Sequence, residues 1–229
     1  MKRCLYIFLV WAVFSAPARA AEFEEGVHYQ RLPVGVETRD DGKVEVVEVF
    51  SYACNHCKDF DPTLEVWRAR QTDGVDFHRM PAIFNETYAV FGQAFYAADV
   101  LGVGEAVHTP IFRAVHERGV DLRDPSQMSA LFHEVGGVSP DEFAQVFNSF
   151  GVRGRVQQAD ARARAYRISG VPALIIDGTF RVDGRMAGSN TRMLEITDFL
   201  VAQRRAEKGL QAAQAGKSAP TAPNGLGVQ

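Results

Sequence analysis

The sequence has 229 residues, a length that allows either one domain with an insertion or two small domains around a substantial hydrophobic core. Its formal net charge of −3 gives no support for nucleic-acid binding, which is usually accompanied by a strongly basic surface. The apolar and charged fractions, 46% and 23%, are ordinary for a globular protein.

The first twenty residues have the pattern of a secretory signal peptide. Lys2 and Arg3 precede an apolar run over residues 5–14, and small residues follow at a cleavage site after Ala20. The run is shorter than the roughly 20 residues that a membrane-spanning helix needs. We therefore expect export with cleavage near Ala20, which also removes Cys4. An uncleaved N-terminal anchor is the alternative interpretation.

Three strands are predicted before the middle of the chain. A short strand is expected over residues 28–32, before a connector rich in turn-forming residues. Val44–Phe50 is an almost continuous β-branched and apolar run, which is typical of a central strand covered on both faces. A further strand is predicted over residues 75–80 and ends at Pro81.

Between the second and third of these strands the apolar spacing becomes helical. Phe60, Leu64 and Trp67 recur at intervals of four and three, which predicts a helix from Cys54 to about residue 70. Pro62 falls inside this span, so we expect a kink or a late restart of the helix there.

A run of helices is predicted over residues 85–151. The first amphipathic segment ends at the glycines that follow residue 101. Thr109 and Asp124, each followed by proline, are expected to begin two more helices. Ser139 carries an N-cap signature, with proline next and Glu142 three residues on. These helices interrupt what would otherwise be one small α/β unit.

The last part of the chain returns to mixed structure. We predict a long helix over residues 152–167 and then a hairpin whose two strands are joined by an Asp-Gly turn at Asp177. A closing helix is expected over residues 191–205. Beyond it, alanine, glutamine and glycine without apolar periodicity predict disorder. The predicted organisation is a signal peptide (1–20), a first α/β part (21–84), a helical insertion (85–151), a second α/β part (152–206) and a disordered tail (207–229).

The strongest chemical signal is the Cys-x-x-Cys pair of Cys54 and Cys57 at the strand-to-helix junction. Unpaired N–H groups and the dipole at a helix N-terminus favour a thiolate on Cys54. A disulfide closing a four-residue loop removes little chain entropy, so it is poorly explained as a staple. In an α/β context this pair is typical of a thioredoxin-like redox motif.

Other uses of the pair are disfavoured. A structural zinc site would need two more ligands, usually another cysteine pair, and the mature chain has no third cysteine. Covalent haem attachment would need histidine directly after Cys57, where Lys58 stands. A structural disulfide remains the alternative.

Two neighbours of the cysteines are candidates for tuning them. His56 lies between them and would stabilise a Cys54 thiolate, or else it is an exposed loop residue. Glu48 lies in the apolar strand, where burial raises a carboxyl pKa and suits it to accept a proton. Our hypothesis is that Glu48 relays the proton of Cys57. The alternative is that it points to an open rim or pairs with Arg79 for structure only.

Together these residues resemble the DsbA family of periplasmic thiol–disulfide oxidoreductases. The resemblance covers nearly all of residues 22–205. It rests on the Glu-x-Phe-Ser-x-x-Cys-x-His-Cys pattern from Glu48 to Cys57, on Gly-Val-Pro-Ala at residues 170–173, and on the helices between them. It implies an α/β thioredoxin fold with an inserted all-helical domain.

The resemblance also implies how the site is arranged. A cis bond between Val171 and Pro172 would face the cysteines, with Cys54 as the exposed nucleophile and Cys57 as the resolving cysteine. Glu48 stands where the family's buried acid is found, and the accompanying basic residue falls near Arg79.

One departure from the family concerns the residue after the first cysteine. It is Asn55, where the best-known members have proline. The dipeptide between the cysteines tunes the redox potential, and Asn55 could also donate a hydrogen bond to a neighbouring sulfur. We group Asn55 with Val171 and Pro172 as the residues expected to contact substrate.

The sequence thus predicts a monomeric periplasmic disulfide oxidase that uses its own redox disulfide and no metal or organic cofactor. The resemblance implies exported polypeptides with free cysteines as substrates and reoxidation by a quinone-linked membrane partner of the DsbB type. A reductase or isomerase on the same fold is an alternative, although no segment before Val44 is long enough for an isomerase's dimerisation module. A peptide-binding chaperone with an incidental disulfide and a disulfide-stabilised binding module are the others.

Overall fold

The computed structural model describes residues 23–39, 42–71 and 74–218. The predicted signal peptide and its cleavage site lie outside the described residues. Within them, no helix is both long enough and apolar enough to cross a membrane. The elements in chain order are β1 (Gln30–Arg31), β2 (Val44–Phe50), α1 (Asn55–Ala69), β3 (Val75–Pro81), α2 (Glu86–Val100), α3 (Gly104–His116), α4 (Pro125–Gly136), α5 (Pro140–Phe147), α6 (Phe150–Ala165), β4 (Ala173–Ile176), β5 (Phe180–Asp183), α7 (Gly184–Ala187) and α8 (Asn190–Ser218).

The strands form one mixed sheet in the order β1-β5-β4-β2-β3. Strand β2 pairs in parallel with β3 and antiparallel with β4, so it is central, and all seven of its residues are buried. This confirms the prediction for Val44–Phe50. A strand this apolar is stable only when both of its faces are covered.

The two faces of β2 belong to different cores. Val46 packs in a cluster with residues of α1 and α8, among them Leu64 and Ile196. Val47 and Val49, which point the other way, pack in a cluster that includes residues of the insertion helices and α6. The sheet is therefore covered by α1 and α8 on one face and by the insertion on the other.

Several local predictions are confirmed. Asp124 and Ser139 begin helices as predicted, each accepting a hydrogen bond from a backbone N–H of the first turn, and Asn85, which was not predicted as a cap, does the same for α2. The hairpin forms around the predicted Asp-Gly turn. Asp177 and Gly178 have positive φ values of 50° and 57°, and the Thr179 N–H donates to the Ile176 carbonyl at 3.0 Å across the turn.

Two prolines lie inside helices, where the sequence predicts a restart at Pro62 and a helix start at Thr109-Pro110. Helix α1 runs through Pro62 from Asn55 to Ala69, so the predicted late restart is wrong. Helix α3 begins at Gly104 rather than at Thr109 and contains Pro110. In both helices buried apolar residues continue at helical spacing on each side of the proline. Packing of that face outweighs the one backbone hydrogen bond that proline removes.

The C-terminal helix is longer than predicted. Helix α8 extends to Ser218, whereas we predicted that it ends at residue 205 and that disorder begins at residue 207. Residues 219–229 lie outside the described part of the chain. The added segment is rich in alanine, glutamine, lysine and glutamate, which are strong helix formers, and it elongates a helix that is already nucleated. Lys208 also anchors it, because its Nζ lies 2.7 Å from the buried Asp177 carboxylate.

Candidate active site

The two cysteines lie at the junction between β2 and α1. Cys54 is the N-cap of α1, and its Sγ accepts a hydrogen bond from the Cys57 backbone N–H at 3.3 Å. The Cys54 N–H donates to the Ser51 carbonyl at 3.0 Å, which closes the turn before the helix. Both cysteines are free thiols, with Cys54 8% exposed and Cys57 fully buried. An attacking group can therefore reach only one of the two sulfurs.

The two sulfurs also differ in acidity. A hydrogen bond from the Cys57 thiol lowers the pKa of Cys54 to about 6, helped by the backbone N–H groups of Cys57 and His56 and by the His56 charge, against the effect of burial. Burial, together with the hydrogen bond and charge of Cys54 and the charge of Glu48, raises the pKa of Cys57. The negative charge therefore resides on Cys54.

The peptide bond between Val171 and Pro172 is cis, as the family resemblance implies. In its thiol form Cys54 donates from Sγ to the Val171 carbonyl oxygen at 3.4 Å. The loop before β4 therefore lies directly beside the more accessible sulfur, although 117 residues separate the two in sequence.

The side chains between the cysteines point to solvent. His56 is exposed, and its influence on Cys54 comes from its backbone N–H and from its charge. The amide of Asn55 donates to the Asp59 carboxylate at 3.2 Å, one turn along α1. In the structure this amide therefore binds Asp59, and not the sulfur that the sequence suggested as a partner.

Glu48 is only 1% exposed and lies in a buried ionic cluster. The Arg79 Nε donates to its carboxylate at 2.7 Å, and the same guanidinium binds Asp61 at 3.0 Å and Glu65. Burial raises the pKa of Glu48 to about 7, although Arg79 opposes this shift, and the charges of Asp61 and Glu65 add to it. Glu48 thus pairs with Arg79, and near neutral pH it is populated both with and without a proton.

The sequence did not reveal a second polar chain that joins this cluster. The hydroxyl of Tyr52 lies 2.9 Å from His108 Nδ1, and His108 Nε2 lies 3.0 Å from the Asp61 carboxylate. Tyr52 precedes Cys54 by two residues, whereas His108 comes from α3 in the insertion. The available signal was that His108 adjoins the buried Val107 on an apolar helix face.

An aromatic pair lies close to the cysteines at the start of α2. The rings of Phe84 and Tyr88 are 5.2 Å apart, and Phe84 is 44% exposed. Burial raises the pKa of Tyr88, and the charges of both cysteines raise it further. The sulfurs therefore have an aromatic neighbour from the insertion as well as the loop at Pro172.

A cleft of about 1010 Å³ lies between β3 and helices α2, α3 and α6, and its walls include Arg79 and His108. At one side of it, Glu45, Asp76 and His78 have their potential ligand atoms within 4.8 Å of one another. Both oxygens of Glu45 already accept hydrogen bonds from arginines, one from the Arg39 N–H at 3.1 Å and one from Arg162 at 3.3 Å. We therefore interpret this group as an ion-paired cluster and not as a metal site.

Comparison with known proteins decides the family. A family model described as a DSBA-like thioredoxin domain matches residues 68–200. The thiol:disulfide interchange protein DsbA of Azotobacter vinelandii is 37% identical over 185 residues, which cover 81% of this chain and 86% of that protein. The chain belongs to the DsbA family. The DsbA of Pseudomonas syringae pv. tomato is also 37% identical, over 196 residues that cover 85% and 91% of the two chains.

Solved structures give the same answer. The crystal structure of Pseudomonas aeruginosa DsbA has a TM-score of 0.78 and 34% identity, covering 82% of this chain and 97% of that one. That of DsbA from Xylella fastidiosa has a TM-score of 0.73 and 38% identity, covering 78% and 96%. These likenesses confirm the predicted thioredoxin fold with a helical insertion and the predicted class, a thiol:disulfide oxidoreductase. The residues matched by the family model begin at 68 and do not include Cys54 or Cys57, so the geometry of the cysteine pair is a separate line of support for this class.

Proposed function

We propose that this DsbA-family chain works in the periplasm and introduces disulfides into exported polypeptides through its Cys54–Cys57 pair. The unequal acidity of the two sulfurs carries the proposal, since the pKa of Cys54 is lowered to about 6 while that of Cys57 is raised. A stable Cys54 thiolate is a good leaving group, and it stabilises the reduced form. The corresponding disulfide is therefore oxidising.

The reaction begins with the pair oxidised. A substrate thiolate attacks Cys54 Sγ, the bond between Cys54 and Cys57 breaks, and the departing Cys57 sulfur takes up a proton. A second substrate thiolate then attacks the substrate sulfur of the mixed disulfide, forms the substrate disulfide and releases Cys54 as a thiolate. Two electrons pass from the substrate to the pair, and no metal or organic cofactor takes part.

Glu48 is proposed as the proton relay for Cys57. Its carboxyl, with a pKa of about 7, both gives and accepts a proton near neutral pH, and its charge acts on Cys57. The pairing with Arg79 does not remove this capacity, since burial keeps the pKa raised. His56 is proposed to support the Cys54 thiolate by its charge.

The substrate is proposed to lie against Val171 and Pro172, with Asn55 at the edge of the contact. The Val171 carbonyl is 3.4 Å from the Cys54 sulfur, so a substrate cysteine joined to Cys54 lies beside this loop. The enzyme is proposed to act as a monomer and to be reoxidised by a membrane partner of the DsbB type.

The deciding experiment is the equilibrium between the cysteine pair and glutathione. We expect a reduction potential well above the value of about −270 mV found for thioredoxin, and a value that low would contradict the oxidase function. The purified protein should also oxidise a reduced model substrate, whereas Cys54→Ser should not. Full retention of folding assistance by Cys54→Ser would favour the chaperone alternative.

The relay is tested separately. We expect Glu48→Gln to slow exchange with a model dithiol by at least about tenfold and to flatten its pH dependence near pH 7. Glu65→Gln is the matched control, because it removes another carboxylate from the same Arg79. Unchanged kinetics in Glu48→Gln, or equal slowing in both variants, would remove the relay.

A further inference from the structure

Tyr52 connects the helical insertion to the turn that presents Cys54. It is only 1% exposed and is held at two points by α3. His108 Nδ1 lies 2.9 Å from its hydroxyl, and about two turns further along α3 the Nε2 of His116 lies 2.8 Å from its carbonyl oxygen. The same residue is thus fixed by its side chain and by its main chain.

The hydrogen-bond roles of His108 follow from its partners. A carboxylate only accepts, so Nε2 carries the proton and donates to Asp61, and Nδ1 then accepts from the Tyr52 hydroxyl. Asp61 also accepts from Arg79, which continues the chain to Glu48. The neutral imidazole satisfies every donor and acceptor in this chain. Burial lowers the pKa of His108, which agrees with the neutral form.

Aromatic packing leaves the Tyr52 ring little freedom. Its ring meets those of Phe50, Phe91 and Phe112 edge to face, with centroids 5.1, 6.3 and 5.0 Å away. Phe91 belongs to α2 and Phe112 to α3. A shift of the insertion relative to the sheet therefore moves Tyr52, and it moves the turn with it.

We propose that His108 and His116 are positioning residues that act on Cys54 through Tyr52. With Tyr52 fixed, the turn keeps the Cys54 N–H on the Ser51 carbonyl and keeps Cys54 Sγ within 3.3 Å of the Cys57 N–H. That second bond stabilises the Cys54 thiolate. The insertion thereby sets the oxidising strength of the pair, an inference that rests on the proposed function only in taking Cys54 as the nucleophile.

The first test compares Tyr52→Phe, His108→Phe and His108→Gln. We expect both phenylalanine variants to raise the midpoint of the Cys54 thiolate absorbance titration and to shift the glutathione equilibrium about three- to tenfold toward the disulfide form, the range expected for one lost buried hydrogen bond. The double variant should shift both readouts no further than His108→Phe alone, because His108→Phe already removes the bond to Tyr52 as well as the bond to Asp61. His108→Gln should keep the titration midpoint and the glutathione equilibrium close to their wild-type values, since an amide can donate to Asp61 and accept from Tyr52.

The second test addresses the main-chain contact. His116→Leu removes the donor to the Tyr52 carbonyl and should shift both readouts in the same direction, whereas His116→Gln keeps a donor and should not. His133→Gln is the control, because His133 binds the Val138 carbonyl inside the insertion. It should leave the titration and the equilibrium unchanged even if it lowers the melting temperature.

The proposal is overturned if Tyr52→Phe and His108→Phe lower stability but leave the thiolate titration and the glutathione equilibrium at wild-type values. Those variants would then show that α3 only supports the fold. This outcome is distinct from failure of the proposed function, which would appear as a low potential of the wild-type pair itself.

Discussion

The low pKa of Cys54 predicts that ionisation of this thiol contributes more stability to the reduced protein as the pH rises. Replacing Cys54 by serine removes the titrating group and keeps nearly the same volume. The thiol titrates at 9.0 in its ordinary state and at about 6 in the folded protein. For a group whose pKa is lowered by folding, the stabilisation is complete above the unfolded value and is lost as the pH falls through the folded value.

The magnitude follows from the two pKa values. Between pH 5 and pH 8 the thiolate should add about 2.5 kcal/mol to the free energy of unfolding of the reduced wild type. Cys54→Ser should show no such gain. Glu48 has the opposite sign, because its pKa is raised from 4.5 to about 7 and its contribution is lost as the pH rises through 7. Both proteins contain Glu48, so its effect cancels in their difference.

The assay is urea unfolding in the presence of a reductant at several pH values. The gap between wild type and Cys54→Ser should widen from pH 5 to pH 8. The oxidised wild type, which has no titrating thiol, is the control and should not follow this curve. A gap that changes by less than about 0.5 kcal/mol, close to the error of linear extrapolation, would refute a folded-state Cys54 thiolate.

Two further predictions concern the C-terminal helix. Asp177→Asn should lower the free energy of unfolding by about 2 kcal/mol in urea, because the buried carboxylate binds Arg204 and Lys208. The loss should be much smaller in a protein that already carries Arg204→Met and Lys208→Met, and an equal loss in both backgrounds would contradict the ion-pair explanation. Trp67→Phe should lower the free energy of unfolding by about 2 kcal/mol, because the indole N–H donates to Asp198 at 2.7 Å. The measurement is urea unfolding followed by circular dichroism. Asp198→Asn keeps an acceptor for the indole and should lower the free energy of unfolding far less.

The parts of the fold that the sequence predicted are those encoded locally. Strand β2 follows from its own run of apolar residues, the hairpin from its Asp-Gly turn, and the helix starts from their caps. The sequence does not reveal the onset of α3 at Gly104, because the start pattern at Thr109-Pro110 is more conspicuous than the apolar spacing around it. The end of α8 was missed because the segment lacks a hydrophobic face, although its residues are strong helix formers.

The same distinction holds for the site. Cys54, Cys57 and Glu48 lie within ten residues of one another, so the motif predicted them directly. Pro172 was reached only through the family resemblance, which supplied the cis bond that the residues alone did not predict. The link between Tyr52 and His108 could not be predicted, because it joins residues 56 positions apart and depends on how the insertion packs against the sheet.

Cys57 is completely buried beside Cys54, and this position allows it to release a substrate that stays joined to Cys54. With the proposed roles, every mixed disulfide forms at Cys54 and leaves the Cys57 thiol one helical turn away, shielded from external oxidants and competing thiols. If the substrate offers no second thiolate, Cys57 attacks Cys54, the pair closes again and the substrate departs reduced. The rate of this attack by Cys57 thus sets the lifetime of the mixed disulfide. Only polypeptides whose own second cysteine reacts faster than this return step leave with a new disulfide.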